Sequence, residues 1–299
     1  MKKINSFILV LAMISTQVMM ACGAEKAEEE ETMEKSTSKR GGIALYTLRE
    51  AMGQDPKATL QRVADIGYAY IEAAGYADGK FYGMEPAEFK DYVESIGLTA
   101  KSAHMGGVNL ENADELIAAT KAAGFTYFVI PVPPMGMFTY GPEGLGMKGS
   151  PEELVQILNK IGEKCTAAGL KLLYHNHDFE FVPREDGLIL TDYILDNTDP
   201  AHVNFEIDLY WTVKAGADPI AYFEKYPGRF LAWHLKDMDD QERFAPVGQG
   251  SIDFAEILTH QSKAGMVHYF VEQDQTFDGM TPFESVQISH QKIVELGFN

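Results

Sequence analysis

From residue 42 onward, an apolar run of strand length recurs eight times, each followed by a stretch of helical periodicity. The runs begin near Ile43, Tyr68, Leu98, Phe125, Leu170, Val203, Phe230 and Met266. Glycine stands just before six of them or one residue further back, at Gly67, Gly97, Gly124, Gly169, Gly228 and Gly265. A left-handed glycine cap is expected where a helix hands over to a strand. Helix starts are marked too: Asp55 with Pro56, Ser150 with Pro151 and Glu153, Asp218 with Pro219, and Thr281 with Pro282 and Glu284. Each sets a capping side chain before a proline whose fixed φ suits the first turn. Strands alternating with helices pair in parallel, and eight such units predict a closed (β/α)8 TIM barrel, an α/β domain over residues 42–299. An open doubly wound sheet is the competitor, disfavoured by the count of eight and by the lack of a GxGxxG turn after the first run.

The N-terminal residues break this pattern. Lys2 and Lys3 precede an apolar run from Phe7 to Met20, too short for a comfortable membrane span, which reads as a secretory signal over residues 1–21. Met19, Met20, Ala21 and Cys22 resemble the lipobox of bacterial lipoproteins. Acylated Cys22 is then the expected first mature residue. It would place the protein outside the cytoplasm, on a periplasm-facing or outer-membrane surface, touching membrane only through its lipid. Residues 22–41 carry Glu25, Glu28, Glu29, Glu30, Glu31 and Glu34 among small polar residues, the composition of a disordered, solvated tether.

Composition narrows the function. Apolar residues at 45% and charged residues at 23% suit a soluble globular domain. Lys and Arg number 25 against 44 acids; losing Lys2 and Lys3 with the signal leaves 23 against 44, a formal charge of −21. Such a surface repels phosphate backbones and excludes a nucleic-acid partner. Beyond Cys22 only Cys165 remains, so the domain contains no intrachain disulfide, and Cys165 is expected as a small buried helix residue without a catalytic role.

In a β/α barrel the functional residues gather where strands end at the C-terminal face. Those ends carry Glu72 in YIEAAGY, His104 in KSAHMGG, His175 and His177 in LLYHNHDFEF, Asp208 in NFEIDLYW, His234 and Lys236 in AWHLKDMD, and Glu272 in YFVEQDQ. Alternation along a strand puts His175 with His177, and His234 with Lys236, on shared faces. An isolated histidine or acid at a strand end is usually a paired or solvated group. Four on the last four strands, whose interiors are otherwise Leu, Val, Phe and Tyr, point instead to a shared site. His175, Asp208, His234 and Glu272 make an N/O set for one divalent ion such as Mn, Co, Zn or Mg. Glu206 and His268 lie deeper on their strands and are expected to pair with each other or with Lys171 in the barrel floor.

The strands from residue 170 to 275 resemble the xylose isomerase-like barrel family, and the resemblance extends over essentially the whole domain. It implies metal ligands at the ends of strands five to eight, usually Glu, Asp, His and Glu, of which Asp208, His234 and Glu272 match the last three. The fifth strand departs, with His175, Asn176 and His177 where the family often has Glu, Asn, His; His177 and Glu180 stay open as alternatives to His175. The resemblance further implies removal of a proton beside the carbonyl of a keto sugar, through an enediolate stabilised by the metal. His177 is the expected base, with an ordinary histidine pKa of about 6.5. Lys236 is expected to hold the developing oxyanion, with a salt bridge to Asp237 or Asp239 as its structural alternative. Glu72 is expected as a second acid, His104 and Asn176 at the sugar hydroxyls, and Trp211 against the sugar ring.

Isomerases, epimerases, dehydratases and keto-glycoside lyases share this chemistry. Outside the cytoplasm a neutral keto sugar or 3-keto-glycoside is a better small-molecule substrate than a sugar phosphate, so isomerase or epimerase chemistry is expected, with β-elimination as its lyase form. A sugar-binding lipoprotein without catalysis is the alternative. A multi-metal nuclease resembling endonuclease IV is set aside by the charge of the chain. The long stretch from Val132 to Ser150 predicts a lid in which Met135, Met137, Phe138 and Tyr140 cover the cleft. The GQGS segment from Gly248 to Ser251 reads either as an anion cradle or as a helix start capped by Ser251.

Overall fold

The computed structural model describes residues 39–141 and 144–298; the expected signal, Cys22 and nearly all of the expected tether lie outside these residues. Eight parallel strands close into a barrel: β1 (Gly42–Ala44), β2 (Tyr70–Ala73), β3 (Thr99–His104), β4 (Tyr127–Ile130), β5 (Lys171–His175), β6 (Val203–Asp208), β7 (Phe230–Leu235) and β8 (His268–Val271). Each is hydrogen-bonded to its neighbours in sequence, and β8 closes on β1. The connecting helices are α1 (Pro56–Ile66), α2 (Pro86–Ser95), α3 (Ala113–Ala122), α4 (Pro151–Ala168), α5 (Leu190–Asn197), α6 (Pro219–Lys225), α7 (Phe254–Thr259) and α8 (Pro282–Leu296). This is the (β/α)8 barrel that the pattern predicts. Among the described residues no helix is long and apolar enough to cross a membrane.

Local signals act as expected. Asp55, Ser150 and Asp218 accept backbone N–H bonds from Ala58, Glu153 and Ile220, and Thr281 with Glu284 forms a reciprocal capping box. The six punctuating glycines all have positive φ. The GQGS segment behaves differently from both readings of it. The amides of Gly248, Gly250 and Ile252 donate to the Asp237 carboxylate, so the anion in the cradle is the protein's own, and Asp253 rather than Ser251 caps α7. The stretch from Val132 to Ser150, the expected lid, holds an antiparallel hairpin, Phe138–Gly141 against Gly144–Met147, and Tyr140 and Leu145 of it line the cavity at the mouth. Its Phe, Thr and Tyr prefer a pleated strand to coil, and cross-strand pairing satisfies their backbone groups.

Two apolar layers carry the barrel. Between strands and helices lies the main core, in which Trp233 of β7 stacks on Phe223 of α6 with ring centroids 5.0 Å apart. Inside the barrel a separate buried cluster of Ala44, Tyr127, Val129, Leu173, Ala232 and Phe270 forms a plug. Strand alternation then decides what lies above it: two residues after Leu173, Ala232 and Phe270 come His175, His234 and Glu272. The register shifts between Ile71 and Glu72 and between Phe205 and Glu206, so irregularity falls immediately before two inward carboxylates.

The turn into β8 is a sensitive point of this frame. Gly265 has φ +82°, and a Cβ there would meet the Gly228 backbone at 2.8 Å, whereas Gly169, also left-handed, has open space around it. Gly265→Ala should therefore lower unfolding free energy by about 2 kcal/mol or more and Gly169→Ala by only about 1 kcal/mol, as read from urea denaturation midpoints.

Candidate active site

The mouth of the barrel is built in two polar tiers above the plug. In the outer tier, Asp208 ends β6, Lys236 follows β7, and Glu272 and Asp274 follow β8. The Lys236 ammonium donates to Glu272 Oε2 at 2.8 Å and Asp208 Oδ2 at 3.2 Å, and pairs with Asp274 Oδ1 at 2.9 Å. Burial opposes its charge, but Asp208, Asp274 and Glu272 outweigh that and hold its pKa well above the ordinary value. His234 Nδ1 lies 2.9 Å from Glu272 Oε2 and 3.9 Å from Asp208 Oδ2. Lys236, Glu272 and Asp274 of this tier line a cavity of about 710 Å³, whose walls also include His177, Trp211, Phe244 and Tyr140.

Asp208, His234 and Glu272 each bring one ligand atom within 4.8 Å of the others, and all three are buried. Asp208 Oδ1 accepts the Trp211 N–H and caps the helix Leu209–Lys214, which leaves Oδ2 facing the site. Burial lifts the Asp208 pKa to about 6, a lift that Lys236 and His234 partly offset. Two carboxylate oxygens and one imidazole nitrogen, of which Glu272 lines the cavity, suit a divalent ion that keeps free positions for a substrate.

The inner tier comprises Glu72, His104, His175 and Glu206, with His234 shared between the two. His234 Nε2 lies 2.8 Å from Glu72 Oε1, and Ser102 donates to Glu72 Oε2 at 2.6 Å. Both ring nitrogens of His234 thus face carboxylates. Burial disfavours its charge, yet Glu206, Glu272 and Glu72 raise its pKa well above the usual value. With an ion on Nδ1, Glu72 would still hold the Nε2 proton, the carboxylate–histidine support common behind metal-bound imidazoles. His104 Nε2 reaches Glu206 Oε2 at 2.8 Å and Glu72 Oε1 at 3.0 Å, and although burial opposes it, Glu72 first and then Glu206 lift its pKa to about 10.

Several expectations change with this geometry. The four expected metal ligands divide: Asp208, His234 and Glu272 stay together, while His175 turns Nδ1 to Glu206 at 3.2 Å in the inner tier. Burial, then His234 and His104, push its pKa well down, so it stays a neutral imidazole. Glu72 does not reach the cavity; it supports His234 from behind. Asn176 is wholly buried and ties strands, accepting the Asp208 N–H at 3.1 Å, so it does not face a substrate. Glu180 accepts from the Tyr174 hydroxyl and the His177 N–H, away from the metal candidates. Lys236 pairs with neither Asp237 nor Asp239, because the glycine-rich loop has claimed Asp237.

Of the expected lid residues, Tyr140 lines the cavity, Met137 is buried in the main core, and Met135 is 59% exposed. His104 and Trp211 reach the cavity wall as expected. So does His177, but not with an ordinary pKa: burial and the Lys236 charge push it down to about 3, and its Nδ1 is buried without a hydrogen-bond partner.

Glu206 does not pair with His268 or Lys171 in the barrel floor. It stands at the centre of the inner tier, while His268 bonds the Tyr127 hydroxyl at 2.9 Å in the floor, where burial and the charges of Lys101 and Lys171 lower its pKa to about 4. Asp274 and Ser102 were missed. The two-residue alternation that links Asp274 to Glu272 and Glu206 to Asp208 was the available signal.

Fold and site together define a β/α barrel with a candidate divalent-metal centre at its C-terminal mouth. Residues 60–272 match the family described as xylose isomerase-like TIM barrel, and the chain belongs to that family. It is similar to an inosose dehydratase of Clostridium beijerinckii, 30% identical over 159 residues covering 46% of this chain and 52% of that protein. An inosose dehydratase of Lacticaseibacillus casei is 26% identical over 152 residues, 44% and 50% of the two chains. The chain spans about half the length of the curated relatives it matches. Among solved structures it is similar to a sugar phosphate isomerase/epimerase from Parabacteroides distasonis at 28% identity and TM-score 0.74, covering 87% of this chain and 99% of that one. The fold is shared with IolI protein carrying a bound zinc atom, at 17% identity and TM-score 0.64 over 85% of this chain and 96% of that one.

Glu180 yields a pH test independent of any metal. Burial pushes its carboxyl up to about 8. The folded protein therefore keeps a proton that the unfolded chain, with a carboxyl pKa of about 4.3, releases between those values. Stability from this group is present at low pH and is lost as pH rises towards 8. Glu180→Gln, which mimics the protonated form, should remove that loss, so the difference in melting temperature between variant and wild type should grow in the variant's favour from pH 5 to pH 8.5, by about 1 kcal/mol or more in stability.

Proposed function

We propose that this protein is a divalent-metal-dependent carbohydrate enzyme of isomerase or epimerase type. It takes a proton from the carbon beside the carbonyl of a keto sugar, with β-elimination from a 3-keto-glycoside as the lyase form of the same chemistry. The observation that carries this reading is the convergence of Asp208 Oδ2, His234 Nδ1 and Glu272 Oε2 beside the Lys236 ammonium, with Glu272 and Lys236 lining one cavity. The names of the similar proteins, inosose dehydratase and sugar phosphate isomerase/epimerase, support a carbohydrate substrate.

Asp208, His234 and Glu272 would hold the ion. Bound there, it supplies Lewis-acid polarisation of the carbonyl and a template for carbonyl and adjacent hydroxyl. Lys236, kept protonated by its carboxylates, adds a positive charge where the oxygen becomes negative. His177 is a neutral imidazole at neutral pH, lines the cavity and has an Nδ1 without a hydrogen-bond partner, so it can accept the carbon-bound proton. Its low pKa in the free protein rises as negative charge develops on the substrate beside it. Trp211 offers an indole face and an unpartnered Nε1 donor to the ring and a hydroxyl of the sugar. A cavity of about 710 Å³ accommodates a glycoside as readily as a monosaccharide.

The basic and apolar N-terminal stretch and the lipobox-like residues ending at Cys22 support an extracytoplasmic, lipid-anchored location. There, neutral sugars rather than sugar phosphates are the accessible pool.

Two outcomes test the proposal. Asp208→Asn and Glu272→Gln should abolish turnover while circular dichroism stays barrel-like, and His177→Asn should slow it by about 10²–10⁴-fold. Incubating the metal-loaded protein with 3-keto-glucosides and free ketoses in deuterated water should show deuterium uptake at the carbon beside the carbonyl, with aglycone release from the glycosides. Binding without exchange or release across the panel would leave only a sugar-binding protein.

A further inference from the structure

The inner tier holds more ligating groups than support of His234 requires. His104 Nε2 and His175 Nδ1 lie 2.8 and 3.2 Å from the same oxygen, Glu206 Oε2, while the other oxygen, Glu206 Oε1, is buried with no hydrogen-bond partner. The ligand atoms of His104, His175, Glu206 and His234 all lie within 4.8 Å of one another. One carboxylate drawing imidazole nitrogens from three different strands, with half of its own capacity unspent, has the geometry of a ligand set rather than of a simple pair.

We propose that His104, His175 and Glu206 form a second divalent-cation site beneath the first, selective for a borderline ion such as zinc or cobalt over magnesium.

Charge supports the assignment. Glu72, Glu206, Asp208, Glu272 and Asp274 bring five carboxylates into one connected network whose only permanent cation, among the described residues, is Lys236. With the imidazoles neutral, as metal ligands must be, one divalent ion in the outer tier leaves the network two charges short of neutrality, and a second ion closes that gap by displacing the protons that His104 and His234 hold in its absence. Uncompensated buried charge costs several kcal/mol per ion, so the gap must be met by a cation or by extra protons on the imidazoles. Donor chemistry separates the two sites. Two imidazoles and a carboxylate favour borderline ions, whereas the oxygen-rich outer set accepts harder ones. His234 serves the outer site through Nδ1 and keeps its Nε2 proton on Glu72, so the inner ion takes three protein ligands and keeps an open position. His104 and His175 both line the cavity, so the ion has a path in from the mouth.

The full chain, stripped with chelator, is dialysed to equilibrium against Zn²⁺, Co²⁺ or Mg²⁺ at physiological salt, and metal per chain is measured by mass spectrometry. Two Zn²⁺ or Co²⁺ per chain are expected, against no more than one Mg²⁺. His104→Ala and Glu206→Gln should each retain one Zn²⁺. Asp208→Asn should lose the outer ion and keep the inner one, with the visible absorption of imidazole-bound Co²⁺ persisting. Thermal melts confirm that the variants are folded. His104, at the cavity wall, is the milder change should Glu206→Gln not fold, and the wild-type stoichiometry stands by itself. Wild type saturating at one Zn²⁺ that Asp208→Asn abolishes and His104→Ala spares would overturn the second site and leave the outer centre standing. Two ions undiminished in His104→Ala would also overturn it.

Discussion

The Lys236 ammonium, buried and shared among Asp208, Glu272 and Asp274, is the interaction around which the mouth of this barrel is organised. A buried charge of either sign costs several kcal/mol unless partners hold it in good geometry. The partners come from β6 and from the segment after β8, on either side of β7. The surrounding structure keeps them in place. Asn176 clamps the Asp208 backbone, the helix Leu209–Lys214 takes one Asp208 oxygen, and the loop from Gly248 to Ile252 takes Asp237 out of competition. Two acids at the ends of adjacent strands thereby acquire separate tasks: Asp208 faces the site and Asp237 shapes a loop.

Beneath this lies a sharp dielectric boundary. The plug of Ala44, Tyr127, Val129, Leu173, Ala232 and Phe270 closes the barrel from below. The tier directly above it is therefore dry on one side, and its charges act on one another with little screening. This accounts for the opposed fates of chemically identical groups a few ångströms apart. His104 and His234, facing carboxylates, are pushed towards the charged form, while His175 and His177, facing burial and positive neighbours, are pushed towards the neutral one. A site that polarises a carbonyl and accepts a proton needs both kinds of histidine, and one barrel interior supplies them by placement alone.

Much of the frame was legible along the chain. Eight apolar runs, four capped helix starts and six glycine caps are local features, and each appears in the structure where the pattern puts it. The polar residues at the strand ends were legible as a set as well, because a β/α barrel brings those ends to one face. Their division was not. Whether His175 joins Asp208 or Glu206 depends on how β5 is staggered against β6, and the register shift at Glu206 re-aims that carboxylate into the histidines rather than the floor. The stretch from Val132 to Ser150 was legible as a long cover of the cleft but not as a hairpin, since cross-strand pairing inside it depends on contacts that its residues, read singly, do not record.

Sequence by itself determined the barrel, its closure in eight units, and the mouth at which chemistry gathers, because periodicity, caps and glycines act over a few residues and need no distant partner. Tertiary structure alone decided which acid faces which base: that Glu72 stands behind His234, that Asn176 ties strands, that Glu206 gathers imidazoles, and that His177 loses its ordinary pKa. Pairing distances and burial are properties of the closed barrel, in which Glu72 and His234, 162 residues apart along the chain, come within hydrogen-bond reach, and a linear pattern carries no record of them.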